Sequence, residues 1–393
     1  MGPLTGVRVL DFGRYIAGPY CAALLAEFGA DVIRIEKRGG SEDRFVSPLG
    51  EGLEGAVFTQ MNRNKRSITL DPMSEAGRGV VRRLLCSADV VVANLPGPTL
   101  TAMGLDQTSL SALRPDIILA STSAYGDIGP LRDQVGFDGI GQVMSGAVHL
   151  TGTPDQPYRT PVAWVDFGTA LHSAFGVVLA LLERERSGRG QTVATSLLGT
   201  ALAFMAPTLI EQAVTNSDRQ AIGNKSHGSA PTDLYRTRDG WILTQVIGQP
   251  LFRRWAELMG EPSWLEDPQF ASDKSRAENS GPITERMSRW CAERTEAEAL
   301  AILGAARIPA GPVLRPQQVL DHPQVQAMGL MADTRALGAP RPAPAFRAPL
   351  QLSETPGTIQ SGPPRVGQHT DAVLEELGYS ACEIADLRAA GAI

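Results

Sequence analysis

The stretch GVRVLDFGRYIAGPYCAALLAEFGADVIRIE, running from Gly6 to Glu36, decides the fold class. Val7–Phe12 is an apolar run of strand length, residues 13–19 form a turn containing two glycines, and Pro19 opens a helix that continues through Glu27. Ala30–Ile35 then reads as a second strand. Strand, turn, helix and strand within about thirty residues make a βαβ unit, whose crossover is right-handed in a parallel sheet. Working outward, the pattern recurs: strand Ser67–Leu70, helix Ser74–Ser87, strand Ala88–Asn94, a Pro/Gly turn with a short helix, and strand Asp116–Ser123. Segments such as Val90-Val-Val-Ala93 and Ile117-Ile-Leu-Ala120 carry no polar alternation, which suits strands covered on both faces. The expected class is α/β, with a Rossmann-like open parallel sheet.

Beyond Gly190 the pattern changes. Residues 195–215 read as an apolar helix, followed by the polar run Gly223-Asn-Lys-Ser-His-Gly-Ser-Ala-Pro231. Residues 232–315 mix short strands with amphipathic helices and predict a smaller α+β domain. Residues 338–349 contain four prolines and read as an extended connector. The last helical stretch, Thr370–Leu377, stops at Gly378 as a C-terminal glycine dictates.

At 393 residues the chain is too long for one ordinary core. Its net charge of -6 and the absence of a basic stripe argue against nucleic-acid binding. Cys21, Cys86, Cys291 and Cys382 are widely separated and form no CxxC pair, so they read as structural or indifferent thiols. No apolar leader precedes the first strand, position 6 is not the Ser or Thr of a myristoylation signal, and the apolar segment 175–182 is short for a bilayer. The expected location is the cytoplasm, with no membrane partner.

Few residues carry obvious chemistry. The turn Gly13-Arg-Tyr-Ile-Ala-Gly18 stands where a dinucleotide loop would, with Glu36 near the end of the next strand, yet G-x-G-x-x-G is absent and so is a P-loop. Its glycines can be read as purely conformational. Asp166 follows the apolar run Pro161-Val-Ala-Trp-Val165 and precedes a helix ending at Arg184, Arg186 and Gly188. On pattern it reads first as a helix N-cap, a reading compatible with a carboxylate held ionised by the helix dipole, the state a carboxylate nucleophile needs. The histidines offer no catalytic pair, though His227 sits on a Gly/Ser-rich loop; no metal-ligand spacing occurs.

Taken together and in order, several segments resemble the family III CoA-transferases, a group that includes formyl-CoA:oxalate and carnitine CoA-transferases and the related α-methylacyl-CoA racemases. They are Gly6–Phe12 with Ala17-Gly-Pro19, Phe28–Glu36, Asn62–Asp71, Ala88–Asn94, Gly136-Phe-Asp138, Glu183–Gln191, Ile308–Pro312 and Gly367–Thr370. The resemblance implies a large Rossmann-like CoA-binding domain from residues 1–200, a small domain at 225–325, and a connector and C-terminal segment at 330–393 that returns to the large one. It implies an interlocked homodimer. It also implies acyl-CoA and a carboxylic acid as substrates, no metal, and Asp166 as the nucleophile, acting through a mixed anhydride and then an aspartyl-CoA thioester.

Carried over residue by residue, the resemblance assigns CoA contacts to Ile16, Ala17, Lys37, Arg38, Leu70, Asn94, Leu95, Pro96, Gln134, Val135, Gly136 and Phe137. It assigns a substrate loop to His227, Gly228 and Ser229. Two basic positions of the family pattern are Met73 and Ala102 here, so phosphate contacts are expected from Lys37, Arg38 or Arg66. Trp164 and Phe167 beside the nucleophile suggest an apolar or medium-sized acyl group. The racemase branch uses a histidine where this chain has Phe137, which cannot carry a proton. A non-catalytic acyl-CoA-binding paralogue and an NAD oxidoreductase are the other readings.

Overall fold

Six strands, β1 (Arg8–Asp11), β2 (Asp31–Glu36), β3 (Lys65–Thr69), β4 (Val90–Ala93), β5 (Ile118–Ser123) and β6 (Thr192–Ser196), form one sheet in the computed structural model. Their order is β3-β2-β1-β4-β5-β6, and every pairing is parallel. The winding reverses between β1 and β4, and such a reversal opens a crevice at the carboxyl ends of the strands. The structure describes residues 2–51, 54–334 and 341–393.

Strand alternation divides the apolar side chains between two faces. Leu10, Ile33, Ile35, Val91 and Leu119 pack on one side with Val80 and Leu84 of helix α2 (Glu75–Ser87) and with Val373, Leu374, Ile384 and Ile393 from the C-terminal segment. Val9, Val32, Val90, Val92 and Ile118 pack on the other. Helix α1 (Ala17–Glu27) and the inner face of a long helix, Ala170, Ala174 and Val177, cover that side. Burying each such side chain contributes about 1.5–3 kcal/mol. The C-terminal segment is also tied by backbone bonds, His369 N–H to the Ser67 carbonyl at 2.9 Å and Asp71 N–H to the Ala392 carbonyl at 2.8 Å.

Three expectations need correction. β6 lies inside a stretch read partly as helix: its Thr, Ala and Ser residues give no apolar run, and the helix starts only at Leu197, where Ser196 Oγ accepts the Gly199 N–H at 3.1 Å. The apolar segment 175–182 is the middle of a 24-residue helix; by length and composition both this helix and Leu197–Thr215 could cross a membrane. Within the proline-rich connector, Ala343–Phe346 is a strand paired antiparallel with Met331–Thr334, while residues 338–340 lie outside the described residues.

The sheet belongs to a unit comprising residues up to Ala147, Arg159–Asn216 and Gln326–Ile393. A second unit comprises Val148–Tyr158 and Ser217–Val325. It holds a three-stranded antiparallel sheet, Thr232–Arg236, Trp241–Gln245 and Ala310–Pro312, over a core of Phe252, Trp255, Met287 and Trp290.

Candidate active site

The loop between β1 and α1 is built by close backbone approach. A Cβ on Gly13 would stand 2.7 Å from Asp11 Oδ1 and from Pro19 Cδ, and one on Gly18 would stand 3.1 Å from Asn94 Oδ1. Neither glycine has positive φ, so space rather than backbone freedom requires them. The Asn94 side chain, at the end of β4, accepts the Arg14 N–H at 2.7 Å and donates to the Arg14 carbonyl at 2.8 Å. Tyr15 takes the left-handed conformation, φ 62°, which costs a side chain about 1 kcal/mol or more. Asp43 holds it there by accepting the Tyr15 N–H at 3.0 Å. The Tyr15 ring meets Phe137 edge-on, centroids 5.5 Å apart.

The long helix, α4 (Trp164–Ser187), begins with Ala163 as its N-cap, which offers no side-chain acceptor. Asp166 is therefore its third residue and not its cap. The cap comes from 28 residues upstream: Asp138 Oδ1 accepts the N–H groups of Val165 at 2.8 Å and Asp166 at 3.1 Å. Asp138 itself opens the short helix α3 (Asp138–Met144), and Gln142 Nε2 donates to its second oxygen at 2.6 Å. Gln142 Oε1 accepts the Thr160 N–H at 3.0 Å, so one amide ties α3 to the segment leading into α4.

Among the described residues, no Lys or Arg forms an ion pair with Asp166. Burial, and secondarily the like charge of Asp138, push its carboxyl from 3.8 up to about 7. The expectation that the helix dipole keeps this group firmly ionised is overturned: a favourable end charge is worth about 0.3–1 kcal/mol, less than the desolvation it faces.

Asp166 opens onto a cavity of about 610 Å3 at the carboxyl ends of β1, β4 and β5. Ile16, Ala17, Asn94, Leu95, Pro96, Gln134, Val135, Gly136 and Phe137, all expected from the sequence, line it together with Asp166. Leu70 does not, being 1% exposed and packed with Ile35 and Ile68 in the core. Lys37 and Arg38 are not brought to the cavity: Lys37 pairs with Glu42 at 3.0 Å, and the Arg38 guanidinium lies against Gly391. Arg66 is also committed elsewhere, bridging Asp31 at 2.7 Å and Glu376 at 2.6 Å. Trp164 stacks on Phe204 and Phe167 packs edge-on against Tyr20, so neither ring forms the cavity wall. Within the second unit, His227 Nε2 contacts the Gln220 carbonyl at 3.0 Å, Gly228 N–H donates to Ser226 Oγ at 3.0 Å, and Ser229 is buried with its hydroxyl 2.9 Å from Thr232 Oγ1.

Sequence reasoning missed Arg14, Arg132 and the cap made by Asp138. The first two were legible only as cations beside expected contacts, and both reach the cavity.

The family model for CoA-transferase family III matches residues 4–370. The chain belongs to that family. Its relatives include the succinate–glutarate CoA-transferase of Agrobacterium fabrum, 34% identical and covering 95% of this chain and 96% of that protein. The formyl-CoA:oxalate CoA-transferase of Bradyrhizobium diazoefficiens is 32% identical, covering 99% and 97%. Among solved structures, a CAIB/BAIF family protein from Brucella suis superposes with a TM-score of 0.84 at 31% identity, covering 96% of this chain and 99% of that one. As a family III CoA-transferase, the protein is an enzyme that moves CoA between an acyl-CoA and a free carboxylic acid.

Proposed function

We propose that this family III CoA-transferase works through covalent catalysis on Asp166. The observation that carries the proposal is a carboxylate with no cation partner, opening onto the cavity formed by Ile16, Ala17, Asn94–Pro96 and Gln134–Phe137. An Asp166 oxygen attacks the acyl carbonyl carbon, the C–S bond breaks, and the electron pair leaves on the CoA sulfur. The thiolate then attacks the Asp166 carbonyl of the mixed anhydride and releases the donor acid. The acceptor carboxylate opens the resulting aspartyl-CoA thioester, and the freed thiolate takes the acceptor's acyl group and regenerates Asp166. Each step is an acyl transfer between reactive partners, so no general base is required.

The anhydride would hydrolyse in water, so a partly desolvated site favours this course. The raised carboxyl supports it too, since a more basic carboxylate is the better nucleophile once ionised. Racemisation is disfavoured because Phe137 carries no proton where that branch needs a base.

CoA is proposed to lie along Asn94–Pro96 and Gln134–Phe137. Two chains are proposed to assemble as interlocked partners. Leu171, Phe175 and Val178 on α4, and Phe204, Ile210 and Val214 on helix α5 (Leu197–Thr215), are exposed apolar side chains that contact with a second chain would cover, which supports assembly. Sedimentation equilibrium is expected to give twice the 41.8 kDa chain mass; a monomer at micromolar concentration refutes assembly.

The mechanism is tested with Asp166→Ala. Acyl-CoA alone is expected to give a hydroxylamine-sensitive acyl-enzyme on the wild type and none on the variant, with CoA affinity kept within a few-fold. Turnover by Asp166→Ala would remove the mechanism. CoA binding without any acyl-enzyme in the wild type would favour a non-catalytic paralogue.

A further inference from the structure

Beneath the first loop lies a set of buried ions. Lys65 pairs with Asp11 at 2.7 Å, Arg34 with Asp43 at 2.8 Å, Arg44 with Glu36 at 2.5 Å, and Arg63 with Glu27 at 2.6 Å. Fully buried charges persist when each has a counter-charge and satisfied hydrogen bonds. The nearby carboxylates are filled: Asp43 takes both its Arg34 bonds and the Tyr15 N–H, Asp11 takes Lys65 and the Gly13 N–H, and Glu36 takes Arg44 and the Ser67 hydroxyl.

Arg14 stands outside this balance. Among the described residues, no carboxylate lies within ion-pair distance of it. Its Nη1 donates to three backbone carbonyls, those of Phe12 at 3.1 Å, Gly13 at 2.9 Å and Ile35 at 3.4 Å. Among the described residues no acceptor takes its Nη2 or Nε, and the residue lines the cavity. The side chain is thus clamped on one edge by neutral oxygens, with positive charge and donors left over. Desolvation, and then the neighbouring Arg34, make that charge harder to hold, lowering its pKa. A partly buried cation so placed is stabilised by an anion arriving with the ligand.

We infer that Arg14 binds a phosphate of the ADP portion of CoA, supplying the contact that the cavity does not obtain from Lys37, Arg38 or Arg66. The inference rests on the family reading only in taking CoA as the ligand. Position favours phosphate over a carboxylate on the acyl group. The Ile35 bond sets the guanidinium toward β2, whereas α4, which carries Asp166, packs on α1 and, within the sheet, on β5 and β6 at the far side from β2. In the order β2-β1-β4-β5, β5 lies two strand spacings from β1 and three from β2, about 10–14 Å. That is the reach of a pantetheine arm and longer than a short acyl chain. The site is also the crevice at the winding reversal, beside the loop after β1, where parallel sheets of this order receive phosphorylated ligands.

The test uses the full-length protein and compares Arg14→Gln with wild type by calorimetric titration of CoA, 3′-dephospho-CoA and pantetheine. Loss of a charge-assisted contact is expected to weaken CoA by about 10- to 100-fold. Pantetheine binding should change less than threefold. An equal loss for CoA and dephospho-CoA assigns the pyrophosphate, and a loss for CoA alone assigns the 3′-phosphate; either supports the inference. Unchanged CoA affinity, or a loss just as large for pantetheine, overturns it in favour of a purely structural arginine. If Arg14→Gln does not fold, Arg14→Lys is read across the same ligands by the same criteria. Acyl-enzyme trapping on wild type reports Asp166 separately, so failure of the covalent mechanism and failure of the phosphate contact give different results.

Discussion

Asp166→Asn should stabilise the protein while abolishing transfer, and the gain should depend on pH. The carboxyl rises from 3.8 to about 7 on folding, roughly three units. At about 1.36 kcal/mol per unit, ionisation of this group in the folded state costs up to about 4 kcal/mol relative to the unfolded chain. Asp166 is only half-buried, so solvent screening reduces that ceiling to about 2 kcal/mol. The sign is fixed by linkage. Between pH 4 and 7 the folded protein binds the proton that the unfolded chain has released, so wild-type stability falls as pH rises through that window. Asparagine, which does not titrate, is free of the penalty. The advantage of the variant should be near zero at pH 4, grow through pH 5 and 6, and level off above about 7.

The helix dipole acts in the opposite direction, favouring a negative third residue by about 0.3–1 kcal/mol. It is the smaller effect and trims the gain without reversing it. The α4 cap survives the substitution because Asp138, not Asp166, provides it. Urea midpoints or thermal midpoints of both proteins at pH 4.5, 6 and 8 make the comparison, with a shift of a few degrees expected at pH 8. A difference that is flat across pH, or a variant less stable at pH 8, would refute the raised carboxyl and the desolvation behind it.

Two further substitutions probe the supports of the site. Asp138→Asn keeps an acceptor for the α4 cap but removes the like charge facing Asp166, so the acidic limb of the kcat/KM profile, expected near pH 7 in wild type, should move to lower pH; an unmoved limb assigns the whole shift to burial. Lys65→Met leaves Asp11 buried without its counter-charge and should lower stability by about 3–5 kcal/mol in urea titrations, with Asp11→Asn in the same chain recovering part of the loss; a change below 1 kcal/mol would mean that the Asp11–Lys65 pair does not anchor the first loop.

What the sequence made legible is the part of the fold governed by short-range pattern. Val90-Val-Val-Ala93 announces a strand buried on both faces, and Gly6–Glu36 contains a whole βαβ unit, so the sheet and its ligand crevice follow from local reading. β6 was hidden because Thr192–Ser196 lies half-exposed at the sheet edge and carries no apolar period. Locally, Asp166 has every mark of an N-cap. Its actual place in the first turn depends on Asp138, 28 positions away, whose side chain does the capping instead. Arg14 was passed over because glycines dominate the reading of a turn, and only the assembled ion pairs around the loop reveal that the nearby carboxylates are taken by other cations. Local pattern therefore located the site, while charge balance and burial, which are long-range quantities, decided the state of its groups.

The pairing of Asp138 with Asp166 makes chemical sense in the proposed cycle. Asp138 is fixed by two N–H donors from α4 and by Gln142, so it cannot swing away to relieve repulsion. The free carboxylate of Asp166 therefore bears both desolvation and a neighbouring negative charge. Acylation converts it to a neutral anhydride and later to a neutral thioester, and both penalties vanish when the new bond forms. An energy that destabilises the resting enzyme by a few kcal/mol thus favours the covalent states over the free nucleophile, in line with interactions that differ along the reaction path. A cation beside Asp166 would do the reverse, stabilising the carboxylate and opposing its acylation. The site keeps its spare positive charge at Arg14, toward the β2 side of the cavity, where it can hold the ligand without quenching the nucleophile.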